Sequence, residues 1–139
     1  MQKSIITLLI ILSGITSVFS QEKHTITLNF EGIKSNKGDV FVAVYNTKES
    51  FLKTPFKKAT VKVIGKKAMV VFNDVRSGIY AISVYHDAND NKKMDTNFLG
   101  IPKEPVGISN NAKAFMGPPK YKDAKFNVTK NIKLKINIK

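Results

Sequence analysis

Residues 132–138 read IKLKINI, and this stretch decides the class of fold. Its apolar side chains alternate strictly with Lys and Asn, which is the period-two pattern of a β-strand with one buried and one solvated face. The inward set is Ile132, Leu134, Ile136 and Ile138. Similar runs occur at residues 25–30, 38–45, 60–64, 68–72, 79–85 and 125–128, separated by Gly, Asn and Asp turns. We therefore predict an all-β domain, an antiparallel seven-stranded β-sandwich of the immunoglobulin or transthyretin kind.

The segment 87–123 breaks this regularity, because it is rich in Asp, Asn, Gly and Pro. Long loops in a compact domain are usually functional or disordered. Eight apolar side chains could fold this one down onto the sheets, so we expect one long ordered loop. The expected anchors are Phe98, Leu99, Ile101, Val106, Ile108, Phe115, Met116 and Tyr121.

Two features concern the surfaces outside the central core. Residues 38–45 (GDVFVAVY) are apolar on both faces, as a central strand would be. Several aromatic side chains either line a small ligand pocket between the long loop and the sheet or form a second small core beneath the loop. They are Tyr80, Tyr85, Phe98, Phe115 and Tyr121.

The first twenty residues have a different character. Lys3 precedes an apolar run, IITLLIIL, and Val18 and Ser20 place small residues before Gln21. This is the layout of a cleavable signal peptide, although an uncleaved N-terminal anchor is an alternative. We expect a signal peptide at residues 1–20 and a single β-sandwich domain at residues 21–139. The protein is then periplasmic or secreted, and not an integral membrane protein after cleavage.

Composition excludes several kinds of chemistry. There is no Cys, which rules out disulfides, thiolate metal sites and cysteine nucleophiles. The 23 Lys and Arg residues against 10 Asp and Glu give a net charge of +13, which suits anionic partners. Only Arg76 is an arginine, however, and the lysines are spread along the chain. Because base and phosphate recognition favours Arg, we expect no nucleic-acid partner; a solubilising basic surface is the simpler interpretation.

Several motifs resemble known families. Residues 73–82 (NDVRSGIYAI) are similar to a turn-Gly-x-Tyr motif of transthyretin-like and carboxypeptidase-regulatory-like sandwiches. Residues 86–91 (HDANDN) and 94–102 (MDTNFLGIP) resemble the bacterial secreted domain of unknown function numbered 2141, and Glu104-Pro105, GISNN at 107–111 and GPP at 117–119 continue the match. The resemblance implies an exported sandwich in a Gram-negative bacterium. It implies no activity.

The strongest candidate for chemistry is a calcium loop in the pattern D-x-N-x-N-x-x-x-D. Its oxygen ligands would occupy relative positions 1, 3, 5, 7 and 9 of such a loop. They are Asp87, Asn89, Asn91, the backbone carbonyl of Lys93, and Asp95. The pattern departs from an EF-hand, since position 6 is Lys92 rather than Gly and position 12 is Phe98 rather than Glu. Asp90 and Glu104 are candidate additions from nearby.

The same residues also suit a turn without metal. Asp and Asn side chains cap tight turns by bonding backbone N–H groups, and two adjacent lysines would oppose a cation unless they point away. Both interpretations stay open from the sequence. Calcium is the only cofactor that we expect, and the five residues above are its candidate ligands.

Catalytic constellations are poor. Neither Ser77 nor Ser109 lies in a nucleophile elbow, and His86 is better explained as a strand-end residue bonded to a carboxylate. Asp87, Asp95 and Glu104 could act as a glycosidase-like pair, but a small sandwich without Trp makes a weak glycan cleft. We therefore predict no catalytic residues and no enzyme activity.

Three functions are compatible with the sequence. The preferred one is an exported, non-catalytic binding or accessory module whose partner is an envelope or extracellular protein or a glycan. The second is a structural or assembly factor of the cell envelope that binds anionic polymers through its basic surface. The third is a small hydrolase built on the three carboxylates.

Overall fold

A computed structural model of the protein describes residues 21–139, and the predicted signal peptide lies outside the described residues. The described chain forms eight strands, a 3-10 turn at Ser109–Asn111 and one short helix, α1 (Tyr121–Ala124). The strands are β1 (Lys23–Glu31), β2 (Asp39–Tyr45), β3 (Lys57–Lys62), β4 (Ala68–Arg76), β5 (Gly78–Asp87), β6 (Val106–Ile108), β7 (Phe126–Val128) and β8 (Ile132–Asn137). No helix among these residues is long and apolar enough to cross a bilayer.

The strands form two facing sheets. The first sheet has the order β4-β1-β8, and the second has the order β3-β2-β5-β6, with β7 paired to the first half of β5. The inward faces meet in one core whose fully buried side chains include Ile26, Leu28, Phe30, Ile82 and Ile136. The predicted all-β, sandwich-like architecture is confirmed.

Two details of the prediction are wrong. There are eight strands rather than seven, because Val106–Ile108 pairs with Ser83–Tyr85 inside the segment expected to be a loop. Three residues are too few to show an alternation. In addition, β8 runs parallel to β1, with Ile26 opposite Ile132 and Phe30 opposite Ile136. A period-two pattern determines which side chains face inward but not the direction of the partner strand.

The anchors expected in the 87–123 segment are mostly in solvent. Ile108 is buried, but Phe98 and Met116 are each 95% exposed, and Leu99, Ile101 and Phe115 are exposed as well. At the tip of this segment, residues 97–101, hydrogen bonds take the place of apolar anchors. Asn97 Oδ1 accepts from the backbone amides of Leu99 and Ile101 at 2.9 and 3.0 Å. This tight Asx turn directs the apolar side chains outward.

A second small core covers one end of the outer face of the second sheet. Tyr45 and Phe51 pack edge to face at 5.3 Å, and Phe51 packs against Tyr121 at 5.6 Å. Ser109 is fully buried and links β5 to α1. Its hydroxyl accepts a hydrogen bond from the Ile82 amide and donates one to the Ala124 carbonyl. Of the aromatic residues singled out in the sequence, only Tyr121 belongs to this core.

Candidate functional site

The candidate site lies where β5 ends. Asp87 is the last residue of this strand, is fully buried, and stands opposite Asp39 of β2. Its neighbour His86 points into the interior, where its Nε2 is 2.8 Å from the carbonyl oxygen of Lys37. The partner of His86 is therefore a backbone carbonyl, not the carboxylate that we expected.

The Asp and Asn residues after β5 form one hydrogen-bonded network. The two carboxylate oxygens of Asp87 accept from the backbone amides of Asn91 and Lys92 at 3.1 and 2.8 Å. The side-chain amides of Asn89 and Asn91 both donate to Asp95 Oδ2, at 2.6 and 2.9 Å. These two donors hold the pKa of Asp95 below its ordinary value. The structure thus brings together the four residues that the sequence proposed as side-chain ligands.

Two residues of this loop have positive φ angles, one of them at the sixth position of the candidate calcium loop. Lys92 occupies the sixth position, where EF-hands carry Gly to make a sharp turn. Lys92 has φ +65° and Asp90 has φ +62°, so both residues adopt the left-handed conformation. At position 6 the loop therefore differs from an EF-hand in residue type, with Lys instead of Gly, but not in the sign of φ. The Lys93 amide bonds to Asn91 Oδ1 at 3.1 Å.

Glu104 joins the network from beyond the loop tip. The Lys103 amide bonds to the Asp95 carbonyl at 2.8 Å, and Glu104 Oε2 accepts from the Asp95 amide at 3.2 Å. Glu104 is 9% exposed, and its Oε1 is buried with no hydrogen-bond partner among the described residues. Burial raises the pKa of Glu104, and the charges of Asp87 and Asp95 and the close approach of the Asp87 carboxylate raise it further, while the Asp95 amide opposes this rise. A third carboxylate is thus held against two others with one oxygen unpaired.

The cation of Lys92 is directed away from this cluster. Its Nζ lies 2.9 Å from Asp39 Oδ2 and also bonds to Asp90, while Lys62 Nζ is 3.0 Å from Asp39 Oδ1. The contact with Lys62 is an ion pair without good hydrogen-bond geometry. Asp90 is therefore engaged by Lys92 and is a poor addition to the ligand set. Lys92 and Lys62 hold the pKa of Asp39 below its ordinary value, and Asp90 and Asp39 raise the pKa of Lys92.

The charge of Asp39 makes a testable contribution to stability. Because its folded pKa is lowered, its stabilising effect is complete above the unfolded value of about 4 and is lost as the pH falls through the folded value. We expect Asp39→Asn to be less stable than the wild type at neutral pH, and the difference to shrink below about pH 4. Urea unfolding across this range measures it. Asp74→Asn, at an exposed surface pair, is the control and should show little difference at any pH. A gap for Asp39→Asn that does not change with pH would contradict the argument.

The donor set defines what chemistry the site can perform. All of its groups are oxygen or amide ligands, which suit a hard cation such as calcium and not zinc. Among residues 21–139 no group of three or more His, Cys, Asp or Glu side chains is placed so that it could hold a metal ion, so Asp87, Asp95 and Glu104 would have to move to bind one together. The oxygens of Asp87 face backbone amides in a buried position, so this carboxylate is not presented to a substrate.

The structure defines this molecule as an all-β, sandwich-like domain with an Asp/Asn loop at one end of a sheet. A family model described as "Uncharacterized protein conserved in bacteria (DUF2141)" matches residues 28–136, from within β1 to within β8. The chain belongs to this family, as the motifs of its central segment indicated. No curated protein and no solved structure matches the chain.

Proposed function

We propose that the protein is an exported, non-catalytic binding module whose loop after β5 is ordered by calcium. The observation that carries the proposal is Glu104 Oε1, a buried carboxylate oxygen without a partner beside two further carboxylates. Burying a carboxylate oxygen without a partner beside two other carboxylates is costly, and a cation bound by the three groups would offset that cost.

The types of ligand that the loop offers are those that calcium prefers. Calcium binds six to eight oxygen atoms, and carboxylates, amide oxygens and backbone carbonyls all serve. The loop offers three carboxylates, two Asn side chains and the Lys93 carbonyl. The ligand set is Asp87, Asn89, Asn91, Lys93, Asp95 and Glu104. Asn89 and Asn91 now donate from their nitrogens to Asp95, and rotation of each amide would turn its oxygen toward a cation bound there.

Export and the absence of catalysis complete the proposal. Export is supported by the signal-peptide pattern of residues 1–20. A binding role is preferred to a hydrolase because Asp87 is fully buried, where a substrate cannot reach it, whereas each of its oxygens accepts only one amide and keeps a lone pair for a cation. The expected partner is an envelope or extracellular protein or a glycan, in a periplasmic or secreted location.

Thermal and urea unfolding with and without calcium tests the calcium site. A cation that binds only the folded protein raises its stability by mass action. At about 10 mM calcium, an affinity typical of extracellular modules would add about 1–3 kcal/mol. We expect Glu104→Gln to abolish this rise and, without calcium, to be at least as stable as the wild type, because the substitution removes an unpaired buried charge.

Glu49→Gln provides the matched control, since Glu49 is an exposed residue remote in sequence from the loop. This variant should keep the full response to calcium, and EDTA should reverse the response. A wild-type protein whose unfolding midpoint is unchanged by millimolar calcium would show that the network is a metal-free turn.

A further inference from the structure

A groove of about 1050 Å³ runs along the outer face of the second sheet. Its floor follows from the two-sided apolar character of β2. The inward side chains of β2 and β5 enter the main core, but Phe41 and Tyr85 point outward and stack on each other at 4.9 Å with their rings 6° from parallel. Both stay half-buried, because the second small core covers only the far end of this face.

The small side chains of Ala43 and Ser83 give the groove its depth. They stand opposite each other in the β2–β5 pair, one step along the outer face from the stacked rings. Ser83 Oγ lies 3.1 Å from the Tyr45 hydroxyl, so this polar group is already satisfied. Ala43 and Ser83 therefore add no unpaired polar group to the floor that would favour a sugar or another highly polar ligand.

The walls come from the long segment on both sides of β6. Met94 and Pro102, from the segment that includes the candidate calcium loop, line one part, and Ala112 and Pro118 line another. Met94, which forms part of one wall, directly precedes Asp95 in the chain. Ordering of the candidate calcium loop would therefore also place one wall of the groove.

The charged side chains that line the groove are all positive. Lys58 and Lys113 line it, both are exposed, and neither forms an ion pair within residues 21–139. Lys92 also lines the groove but is engaged by Asp39 and Asp90. No Asp or Glu side chain of the described chain is among the lining residues. An apolar channel with free ammonium groups and no Asp or Glu side chain is complementary to a ligand that is apolar along its length and anionic at one end.

We propose that this groove binds a single-chain anionic amphiphile, an alkyl carboxylate, with its chain over Phe41 and Tyr85 and its headgroup near Lys58 and Lys113. The proposal rests on the assignment of the protein as a binding module and names the class of its ligand. The volume is large enough for one acyl chain. A ligand with a single acyl chain can therefore be bound by this protein alone.

Titration calorimetry of the purified protein with octanoate tests this inference. We expect saturable one-to-one binding, tighter than that of hexanoate by up to about fifteenfold because two more methylenes are buried. Octyltrimethylammonium has an alkyl chain of similar length with the opposite charge and should bind much more weakly. Equal binding of the cation and the anion would overturn the anionic specificity.

Matched variants locate the site. Lys58→Glu should weaken octanoate binding by about threefold to tenfold, since it replaces an attractive charge at the groove by a repulsive one. Lys133→Glu makes the same charge change on β8 of the other sheet and should leave the affinity unchanged. Ala43→Phe fills the floor and should abolish binding in a protein that still unfolds cooperatively. Equal effects of the two Lys variants would contradict the assigned position.

The outcomes separate this inference from the proposed function. A calcium-induced rise in the unfolding midpoint without octanoate binding overturns the groove ligand and leaves the calcium site intact. Octanoate binding without any response to calcium supports the groove and rejects the cation. Binding only to vesicles of anionic phosphatidylglycerol, and not to monomeric octanoate, also overturns the proposal and indicates a membrane-surface partner instead.

Discussion

Replacing Gly38 with alanine is expected to destabilise the protein by about 3 kcal/mol or more. Gly38 has φ +76°, and a Cβ atom placed there would lie 1.7 Å from the carbonyl oxygen of Asp87 and 2.8 Å from its carbonyl carbon. The obstacle is backbone, so no side chain can rotate away. The start of β2 would have to separate from the end of β5, where Asp39 pairs with Asp87.

Gly100 provides an unusually well-matched control for this substitution. It has the same φ of +76°, but a Cβ atom there would meet nothing within 4 Å. Gly100→Ala therefore carries only the conformational cost of the left-handed region, about 1 kcal/mol. Urea unfolding of both variants isolates the clash with Asp87. Equal losses in the two variants would show that backbone conformation alone, and not the approach to Asp87, requires Gly38.

The second large effect is expected from Phe30→Ala. Phe30 of β1 is 1% exposed and lies in the core between Ala68 of β4 and Ile136 of β8. Removing its ring leaves a cavity that the surrounding strands can fill only in part, so we expect a loss of about 3–5 kcal/mol in the free energy of unfolding. Chemical denaturation of the wild type and the variant measures this loss.

Phe98→Ala is the same chemical change at a side chain that is 95% exposed. It should alter the free energy of unfolding by less than about 0.5 kcal/mol. The pair also tests how the 87–123 segment is held in place. A substantial loss in Phe98→Ala would restore the view, taken from the sequence, that apolar side chains anchor this segment, and it would contradict the Asx turn at Asn97 as the main restraint.

The sequence predicted which residues form strands and which of their side chains are buried. It did not predict which strands pair with each other. The alternation at residues 132–138 predicted β8 and the face that it buries, and both are confirmed. The parallel pairing of β8 with β1 depends on how the chain crosses between sheets after β7 pairs with β5. That path is a property of contacts between distant residues, and no local period encodes it.

The candidate site divides in the same way. Asp87, Asn89, Asn91 and Asp95 lie within nine residues, so their spacing alone suggested a common centre. Glu104 could be noted only as a neighbour, because its position against the Asp95 amide depends on the return of the chain after the Asn97 turn. Its unpaired oxygen, which carries the proposed function, is visible only in three dimensions.

The sequence by itself determined the class of fold, the inward residues of most strands and the local set of Asp and Asn oxygens. These are consequences of side-chain periodicity and spacing over a few residues, which the chain carries wherever it folds. Tertiary structure decided the parallel strand pair, the burial of Glu104 and the groove over Phe41 and Tyr85. Each depends on which distant segments cover a given surface, since the same outward face of β2 is sealed by Phe51 at one end and left open at the other.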